Sequence, residues 1–256
     1  MTNGAAPAPS DVERLTLRGR PRRILRAILL TILRPLLRLQ IENLDRVPAE
    51  GPAIVVANHL HNADPILMVI VMPRSIHYMA KKEVFQVPLI RTIIRWVGTF
   101  PVDRGKPDRA AIRRAEAALA AGVLVGMFPE GTRSETMQLQ RAHAGCGLLA
   151  LRNDVPVIPV AITGTERLPF NGNKGKAQSR VQMPNPGHRG IRIRFGEPIR
   201  VPREIDGRRL TAEEATELIM IEVARLLPED YRGYYADKVA EADAEKQKAV
   251  AEPVIC

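Results

Sequence analysis

The chain has 256 residues, which suits one α/β domain with accessory helices or at most two small domains. A hydrophobic fraction of 45% supplies a sizeable core, although few aromatic residues contribute to it. The net charge of +10 indicates an anionic partner, either nucleic acid, anionic lipid or a phosphorylated substrate. The two cysteines, Cys146 and Cys256, are too few and too far apart for a disulfide framework, which favours a reducing compartment.

The first residues carry no sign of a secretory signal. Residues 1–10 lack a positively charged start and an apolar stretch, so we expect no signal peptide and a disordered beginning. Residues 1–40 hold eight arginines and only two acidic residues, and they are strongly apolar as well. The longest uncharged apolar run near the N-terminus, Ala27–Leu33, is far shorter than the roughly 20 residues that a bilayer requires.

An amphipathic helix is predicted over residues 22–39, with a bend at Pro35. Its apolar positions recur at helical spacing and are Leu25, Ile28, Leu29, Ile32 and Leu36. A basic helix with a Leu/Ile face is suited to the headgroup region of a membrane, where apolar burial and attraction to anionic lipid act together. A helix packed on its own domain and a basic solvated tail are the alternatives. We expect a membrane-surface segment over residues 16–42.

Short apolar runs bounded by turn residues predict buried strands further along the chain. They lie at Ala53–Ala57, Ile76–Ala80, Val97–Val102, Val123–Phe128, Val157–Ile162 and Ile191–Phe195. Helical patterns separate several of them, at Pro65–Met72, Leu89–Trp96, Asp108–Ala121 and Arg141–Asn153. This alternation predicts an α/β fold with a mixed, largely parallel sheet flanked by helices.

The last third of the chain mixes a polar loop with helices. Residues 170–190 are predicted to form a long loop, either a lid or a mobile connection. A helix is predicted over Thr211–Leu227, with Thr211 as its N-cap and Glu214 three residues later. Residues 236–252, rich in Ala, Glu and Lys, predict a solvated helical tail.

The first cluster with chemical potential is Asn58–Asp64, directly after a predicted buried strand. A hydroxyl group is activated when an imidazole removes its proton and a carboxylate holds the other ring nitrogen. A tight strand-to-helix turn would let Asp64 reach back to His59 in this way. Two alternatives remain at this point. In the first, His59, His61 and Asp64 are metal ligands, and in the second, His59 only stabilises its loop.

Two further clusters also follow predicted strands. The first runs from Gly98 to Arg104, and the forked donors of Arg104 suit a phosphate unless the residue forms surface salt bridges only. The second is Phe128–Ser134, where Gly131 permits close approach to the backbone and Arg133 supplies a planar cation. This segment suits a phosphate monoester, but it lacks the glycine and lysine spacing of a P-loop. A fourth, proline-bounded segment, Val155–Val160, indicates only a buried strand.

In this order and spacing, the four segments resemble the glycerolipid acyltransferase family, the 1-acyl-glycerol-3-phosphate acyltransferases and their relatives. The resemblance covers roughly residues 45–200. Its specific elements are the His59-x-x-x-x-Asp64 spacing and the Phe128–Ser134 segment, whose combination is much more informative than either alone.

The resemblance implies a role for each matching residue. His59 would be the general base on the acceptor hydroxyl, oriented by Asp64, and the hydroxyl would attack the thioester of acyl-CoA or acyl-carrier protein without an acyl-enzyme. The implied substrate-binding residues are Arg104, Glu130, Gly131, Thr132, Arg133 and Lys82. Of these, Arg104 and Arg133 would bind the acceptor phosphate, Glu130 and Gly131 would shape the acceptor site, and either Lys81 or Lys82 would add a basic ligand.

One segment departs from the family pattern. Members often have a lysine soon after the third motif, in a Phe-Lys-x-Gly-like stretch, whereas this chain has the segment Leu139–Gly145. Arg141 or His143 would have to substitute for that lysine. The reaction type is therefore better supported than the details of the substrate.

Four segments and one activity are predicted. A disordered start (1–15) and the membrane-surface segment (16–42) precede an acyltransferase domain (43–228) and a charged C-terminal tail (229–256). The expected reaction gives phosphatidate from 1-acyl-glycerol-3-phosphate, without metal or cofactor, on the cytoplasmic face of the cell membrane, where the protein would be peripheral or monotopic. Another lysophospholipid or glycerol-3-phosphate is the alternative acceptor. A basic lipid- or nucleic-acid-binding protein is the non-enzyme alternative, but the chain has no nucleic-acid motif and few aromatics for base stacking.

Overall fold

The structure, a computed structural model, describes residues 20–81, 100–102, 109–169 and 190–251. The helices are α1 (Arg20–Leu37), α2 (Asp64–Val71), α3 (Arg109–Ala120), α4 (Gly145–Asn153), α5 (Ala212–Leu226) and α6 (Ala236–Ala251). The strands are β1 (Gln40–Glu42), β2 (Ala53–Ala57), β3 (Ile76–Lys81), β4 (Phe100–Val102), β5 (Leu124–Met127), β6 (Val157–Thr163), β7 (Arg192–Phe195), β8 (Glu204–Ile205) and β9 (Arg208–Arg209).

Seven strands form one sheet in the order β1-β7-β6-β2-β5-β3-β4. Every neighbouring pair is parallel except β6 and β7, so β1 and β7 run opposite to the other five strands. The mixed, largely parallel sheet expected from the alternating pattern is confirmed. Strands β8 and β9 form a separate hairpin, whose Asp206-Gly207 turn has positive φ at both residues, as a type I′ turn requires.

Helices cover both faces of the sheet, which explains the continuous apolar runs of its central strands. All five residues of β2 are buried. Ile54 and Val56 belong to the core shared with α3, α4 and α5, whereas the alternate residues Ala53, Val55 and Ala57 belong to the core shared with α1 and α2. The sheet is therefore the middle layer between two hydrophobic cores.

Most predicted elements are present, within a few residues of their expected ends. The predicted helix Leu89–Trp96 and the first part of the predicted strand Val97–Val102 lie outside the described residues. The capping box of α5 is confirmed, since the Thr211 side chain accepts from the Glu214 amide and the Glu214 side chain accepts from the Thr211 amide. Strand β1 was not predicted, because a three-residue strand with one apolar side chain gives too little pattern.

The predicted boundary at residue 42 is wrong, because β1 pairs with β7 and so belongs to the main sheet. The segment before it is a helix, as predicted, but its apolar residues divide between two surfaces. Leu30, Leu33 and Leu37 pack on the core beside α2. Four other apolar residues are exposed, and we call them the outer stripe: Ile24, Ile28, Ile32 and Leu36.

Two arginines of α1 contact the protein itself. The Arg22 guanidinium donates to the carbonyls of Met72, Pro73 and Arg74, and Arg26 donates to that of Val71, at 2.7–3.2 Å. These carbonyls lie at the C-terminal end of α2, where cations are favoured. Not every arginine of this segment is therefore available to anionic lipid. Among the described helices, none combines the length and the hydropathy that a bilayer crossing needs.

The expected charged tail from residue 229 is wrong for its first part. Tyr231, Tyr235 and Val239 are buried in the core shared with α5. Tyr231 and Tyr235 precede α6, and Val239 lies in its first turn, so the chain is packed on the core up to the start of this helix. The rest of α6 is largely exposed up to residue 247, as the composition predicted.

A close approach between β3 and β5 depends on glycine. Tyr78 of β3 pairs with Gly126 of β5, and a Cβ atom built on Gly126 would lie 2.2 Å from the Tyr78 ring. The tyrosine ring therefore occupies the space above a residue without a side chain. This places Tyr78 flat along the sheet, on the face that α2 covers.

We expect Gly126→Ala to lower the free energy of unfolding by about 1–3 kcal/mol, because the added methyl group must displace a fully buried ring. Urea denaturation measures this change. Gly145→Ala is the matched control, since its Cβ would meet only Met127 Cε at an ordinary 3.5 Å. Equal stability of the two variants would contradict the close packing of Tyr78 on Gly126.

Candidate active site

The ends of three parallel strands bring the predicted clusters together. Strands β5, β2 and β6 are neighbours, so their carboxyl ends meet at one edge of the sheet. His59 follows β2 and Glu130 follows β5. Asn58 joins β2 to β6, because its side-chain amide donates to the Ile162 carbonyl at 2.8 Å and accepts from the Ile162 amide at 2.7 Å. Ligands of parallel α/β sheets commonly bind outside this edge.

His59 and Asp64 form the pair that their spacing predicted. His59 Nδ1 lies 2.9 Å from Asp64 Oδ2, and the Asp64 side chain is fully buried at the start of α2. The amides of Leu60 and His61 donate to the same oxygen at 2.7 Å each. With a proton on Nδ1, the other ring nitrogen, Nε2, is left as a proton acceptor. This arrangement suits general-base chemistry on a hydroxyl group.

Aromatic stacking orients the His59 ring from its other side. The ring lies against Phe128, with centroids 4.3 Å apart, and Phe128 lies against Tyr78 at 5.3 Å. Sequence analysis placed Phe128 in the third cluster but gave it no role, and it missed Tyr78. No local pattern identifies such a stack, because its members lie on different strands.

Both carboxylate oxygens of Glu130 accept hydrogen bonds from backbone amides of the site. Its Oε1 accepts from the His59 amide at 3.0 Å, and its Oε2 accepts from the Gln140 amide at 2.9 Å. Burial raises the pKa of Glu130 to about 7, the two backbone hydrogen bonds oppose this, and the charge of Asp64 adds to it. Glu130 therefore ties the loop that carries His59 to the loop around residue 140.

The loop after Glu130 lies beside His59. Gly131 has a φ of 71°, a conformation that favours glycine, and its missing Cβ would lie 2.8 Å from the His143 ring. The Ser134 amide donates to the His59 carbonyl at 2.8 Å. Thr132 is exposed. The third cluster is thus joined to the first by hydrogen bonds at both Glu130 and Ser134.

Arg133 and His61 are electrostatic neighbours. Burial lowers the pKa of His61, Asp64 opposes this effect, and the charge of Arg133 lowers the pKa further. A cation is therefore present close to the first cluster, as the prediction for Arg133 requires. Its role as a phosphate ligand stays a prediction. Lys82 and Arg104 lie outside the described residues.

The geometry of His61 differs from that of a metal ligand. Its Nδ1 accepts from the Ala63 amide at 3.0 Å, so this nitrogen is engaged within the loop. In the parts of the chain that the structure describes, no three His, Cys, Asp or Glu side chains are grouped as a metal site requires. The absence of a metal in the reaction stays a prediction.

The C-terminal segment supports the site, which sequence analysis did not foresee. The Leu139 amide donates to the Tyr231 carbonyl at 2.9 Å, and the Ala142 amide donates to the Tyr235 hydroxyl at 3.1 Å. The Tyr231 hydroxyl also donates to buried Glu166, just after β6, at 3.0 Å. These contacts join residues about 65–95 positions apart along the chain, beyond the reach of any periodicity argument.

Comparisons with known proteins agree with this geometry. The family model described as Acyltransferase matches residues 38–163. The chain is 32% identical over 148 residues to the 1-acyl-sn-glycerol-3-phosphate acyltransferase of Bacillus subtilis, which covers 57% of this chain and 73% of the relative. It is 29% identical over 144 residues to the chloroplastic 1-acyl-sn-glycerol-3-phosphate acyltransferase LPAT1 of Arabidopsis thaliana, covering 55% of this chain but only 40% of that protein.

A solved structure shares the fold. The crystal structure of the 1-acyl-sn-glycerophosphate (LPA) acyltransferase PlsC from Thermotoga maritima matches 81% of this chain and 83% of its own, with a TM-score of 0.55 and 24% identity. At this level of identity the match concerns the fold alone.

We expect the raised pKa of Glu130 to make stability depend on pH. A carboxyl group that ionises near pH 7 when folded, but near 4.5 when unfolded, binds its proton more tightly in the folded state. Stability should therefore fall as pH rises between these values, by up to about 3 kcal/mol. In urea denaturation from pH 5 to pH 8, Glu130→Gln should lose this part of the slope, so the difference in stability between the two proteins should change in favour of the variant as pH rises. Parallel slopes for the two proteins would contradict the assignment.

Proposed function

Because the chain belongs to the acyltransferase family of the 1-acyl-sn-glycerol-3-phosphate acyltransferases, we propose that it esterifies the free hydroxyl of 1-acyl-glycerol-3-phosphate and so forms phosphatidate. The acyl donor would be a thioester, either acyl-CoA or acyl-carrier protein. The observation that carries the proposal is the 2.9 Å contact between His59 Nδ1 and the fully buried Asp64 carboxylate at the carboxyl edge of the sheet.

His59 would act as base and then as acid. Its Nε2 accepts the proton of the acceptor hydroxyl while the hydroxyl oxygen attacks the thioester carbonyl. The carbon–sulfur bond breaks, and the departing thiolate takes the proton from the imidazolium. Asp64 holds the ring in the required tautomer and stabilises its transient positive charge. The ester and the free thiol leave the dyad in its starting state, without an acyl-enzyme, a metal or a further cofactor.

Arg133 is the described residue best suited to the acceptor phosphate. It lies on the loop that Glu130 and Ser134 join to His59, and its charge reaches His61. A guanidinium binds phosphate through two parallel hydrogen bonds, which would fix the distance from the phosphate to the reacting hydroxyl. Exposed Thr132 would add a hydroxyl donor beside it, and we keep Arg104 and Lys82 as further proposed ligands.

The same chemistry would serve another lysophospholipid or glycerol-3-phosphate, since each presents a hydroxyl near a phosphate. The Bacillus subtilis relative favours 1-acyl-glycerol-3-phosphate through its name and its coverage. Membership of an enzyme family removes the reason to consider a non-catalytic binding protein.

We expect His59→Ala to lower acyl transfer about 10²–10⁴-fold, because a positioned general base contributes this much. Release of free thiol from acyl-CoA, with and without 1-acyl-glycerol-3-phosphate, measures the reaction. Asp64→Asn should also lose activity, because the amide cannot hold the imidazolium as a carboxylate does. Near-normal turnover by a folded His59→Ala protein would exclude the proposed mechanism, and thiol release that does not depend on the acceptor would exclude the proposed reaction.

We further propose that α1 binds the membrane surface through the outer stripe, on the cytoplasmic face, so that the protein is peripheral or monotopic. Exposed Arg23, Arg34 and Arg38 belong to the same helix or follow it directly. Apolar burial would contribute about 25 cal/mol per Å². Each arginine near an anionic surface would add about 1 kcal/mol, which salt screens. A lipid acceptor gives the enzyme a reason to reside there.

Ile28→Asp should weaken sedimentation with anionic vesicles at least about tenfold. It removes an isoleucine that would be buried in the membrane, and it adds a negative charge that anionic lipid repels. Ile205→Asp is the matched control, since it places the same change on another exposed isoleucine, in the β8–β9 hairpin. High salt should release only part of the native protein. Equal losses for the two variants would mean that the outer stripe is not the lipid-binding surface.

A further inference from the structure

The two oxygens of the Asp64 carboxylate have very different surroundings. Oδ2 accepts three hydrogen bonds, from His59 Nδ1 and from the amides of Leu60 and His61. Oδ1 is equally buried, yet it has no hydrogen-bond partner among the described residues. A buried carboxylate oxygen without a donor is costly, and such cases in native proteins call for an explanation.

Tyr78 presents the complementary group. Its side chain is fully buried, and its hydroxyl also has no hydrogen-bond partner in the described part of the chain. Buried tyrosine hydroxyls usually find an acceptor. The Tyr78 hydroxyl and Asp64 Oδ1 are thus a donor and an acceptor among the buried side-chain atoms that have no hydrogen-bond partner in the described residues.

The packing directs the Tyr78 ring toward the dyad. The ring lies over Gly126, stacks on Phe128, and Phe128 in turn stacks on His59. Tyr78 shares its core with Leu67, Met68 and Val71 of α2, the helix that begins at Asp64. The phenol therefore lies between the sheet and the helix that carries the carboxylate. Burial raises the pKa of Tyr78 well above its usual value, and the charge of Asp64 raises it further, which agrees with their proximity.

We propose that Tyr78 is a positioning residue of the His59–Asp64 pair, with its hydroxyl donating to Asp64 Oδ1 through one bridging water, since neither atom has a direct partner among the described residues. This inference rests on the proposed function of the pair. A donor on Oδ1 holds the plane of the carboxylate, so that Oδ2 stays in line with His59 Nδ1. It also stabilises part of the negative charge, which weakens the attraction between Asp64 and the proton of His59.

Removal of this donor has a defined electrostatic consequence. Without the phenol, the negative charge on Asp64 is less stabilised, so Asp64 should attract the proton of the His59 imidazolium more strongly. The other titratable groups that act on Asp64 or lie against it are His59, His61 and Glu130, and none of them is altered by the substitution. The acid limb of the pH profile of kcat/KM should therefore move to higher pH.

Tyr78→Phe is the informative variant, because it keeps the ring and its stacking on Phe128 and removes only the hydroxyl. We expect kcat to fall about threefold to tenfold, as for the loss of one hydrogen bond. The KM for the acceptor should stay unchanged, and the acid limb should shift upward. If the Tyr78 hydroxyl has no partner, Tyr78→Phe should leave the kinetics unchanged and the stability equal or greater, because it removes a buried polar group that makes no hydrogen bond. That result would overturn the proposal.

Two controls separate the possible failures. Tyr234→Phe makes the same chemical change at an exposed tyrosine and should alter neither kcat nor the pH profile. In urea denaturation, Tyr78→Phe should lower the folding equilibrium constant severalfold in the native background but not in Asp64→Ala, since the acceptor is then absent. Equal losses in both backgrounds would refute the contact. If His59→Ala is inactive while Tyr78→Phe matches the native enzyme, only this inference fails, whereas full activity of His59→Ala removes the proposed function as well.

Discussion

The structure of the site depends on one buried carboxylate. Asp64 Oδ2 gathers the His59 ring nitrogen and two consecutive backbone amides, all within 3 Å. A charge that is fully removed from water requires several strong hydrogen bonds, and the short loop between β2 and α2 supplies them. The same interactions that satisfy the carboxylate therefore determine the conformation of the loop and the orientation of the imidazole. The contacts that position His59 beside Asp64 are therefore also the contacts that stabilise the loop.

The rest of the fold makes this loop rigid from outside. Glu130, just after β5, accepts a hydrogen bond from the His59 amide, and the Ser134 amide donates to the His59 carbonyl. Asn58, the residue before His59, binds the backbone of β6. Parallel neighbouring strands end at the same edge, so residues 71 positions apart in sequence can form such contacts. These contacts limit the freedom of His59, the proposed base, and such positioning favours efficient proton transfer.

Helix α1 shows how one segment can serve two surfaces. Leu30, Leu33 and Leu37 pack beside α2, and the outer stripe faces away. Two arginines of the same helix, Arg22 and Arg26, bind carbonyls at the C-terminal end of α2. A proposed lipid-facing helix is thus attached directly to the helix that begins with Asp64. The edge of the sheet that carries His59 would then have a defined orientation relative to the membrane, because α1 packs on α2.

Much of this protein could be predicted from its sequence. Continuous apolar runs between turn residues predicted the central strands, since a strand buried on both faces has no polar positions. The five-residue separation of His59 and Asp64 predicted their contact, because a tight turn limits how far apart they can lie. Other features needed the tertiary structure. Strand β1 exists because β7 offers it a partner, Tyr78 reaches its place because Gly126 lies opposite, and Tyr235 is buried because α5 provides a surface. The sequence by itself determined the local elements and the contact between His59 and Asp64, whose physical causes act over a few residues. Only the tertiary structure decided the role of Glu130, the division of α1 between core and surface, and the support from the C-terminal segment, because these depend on contacts between residues distant in the chain.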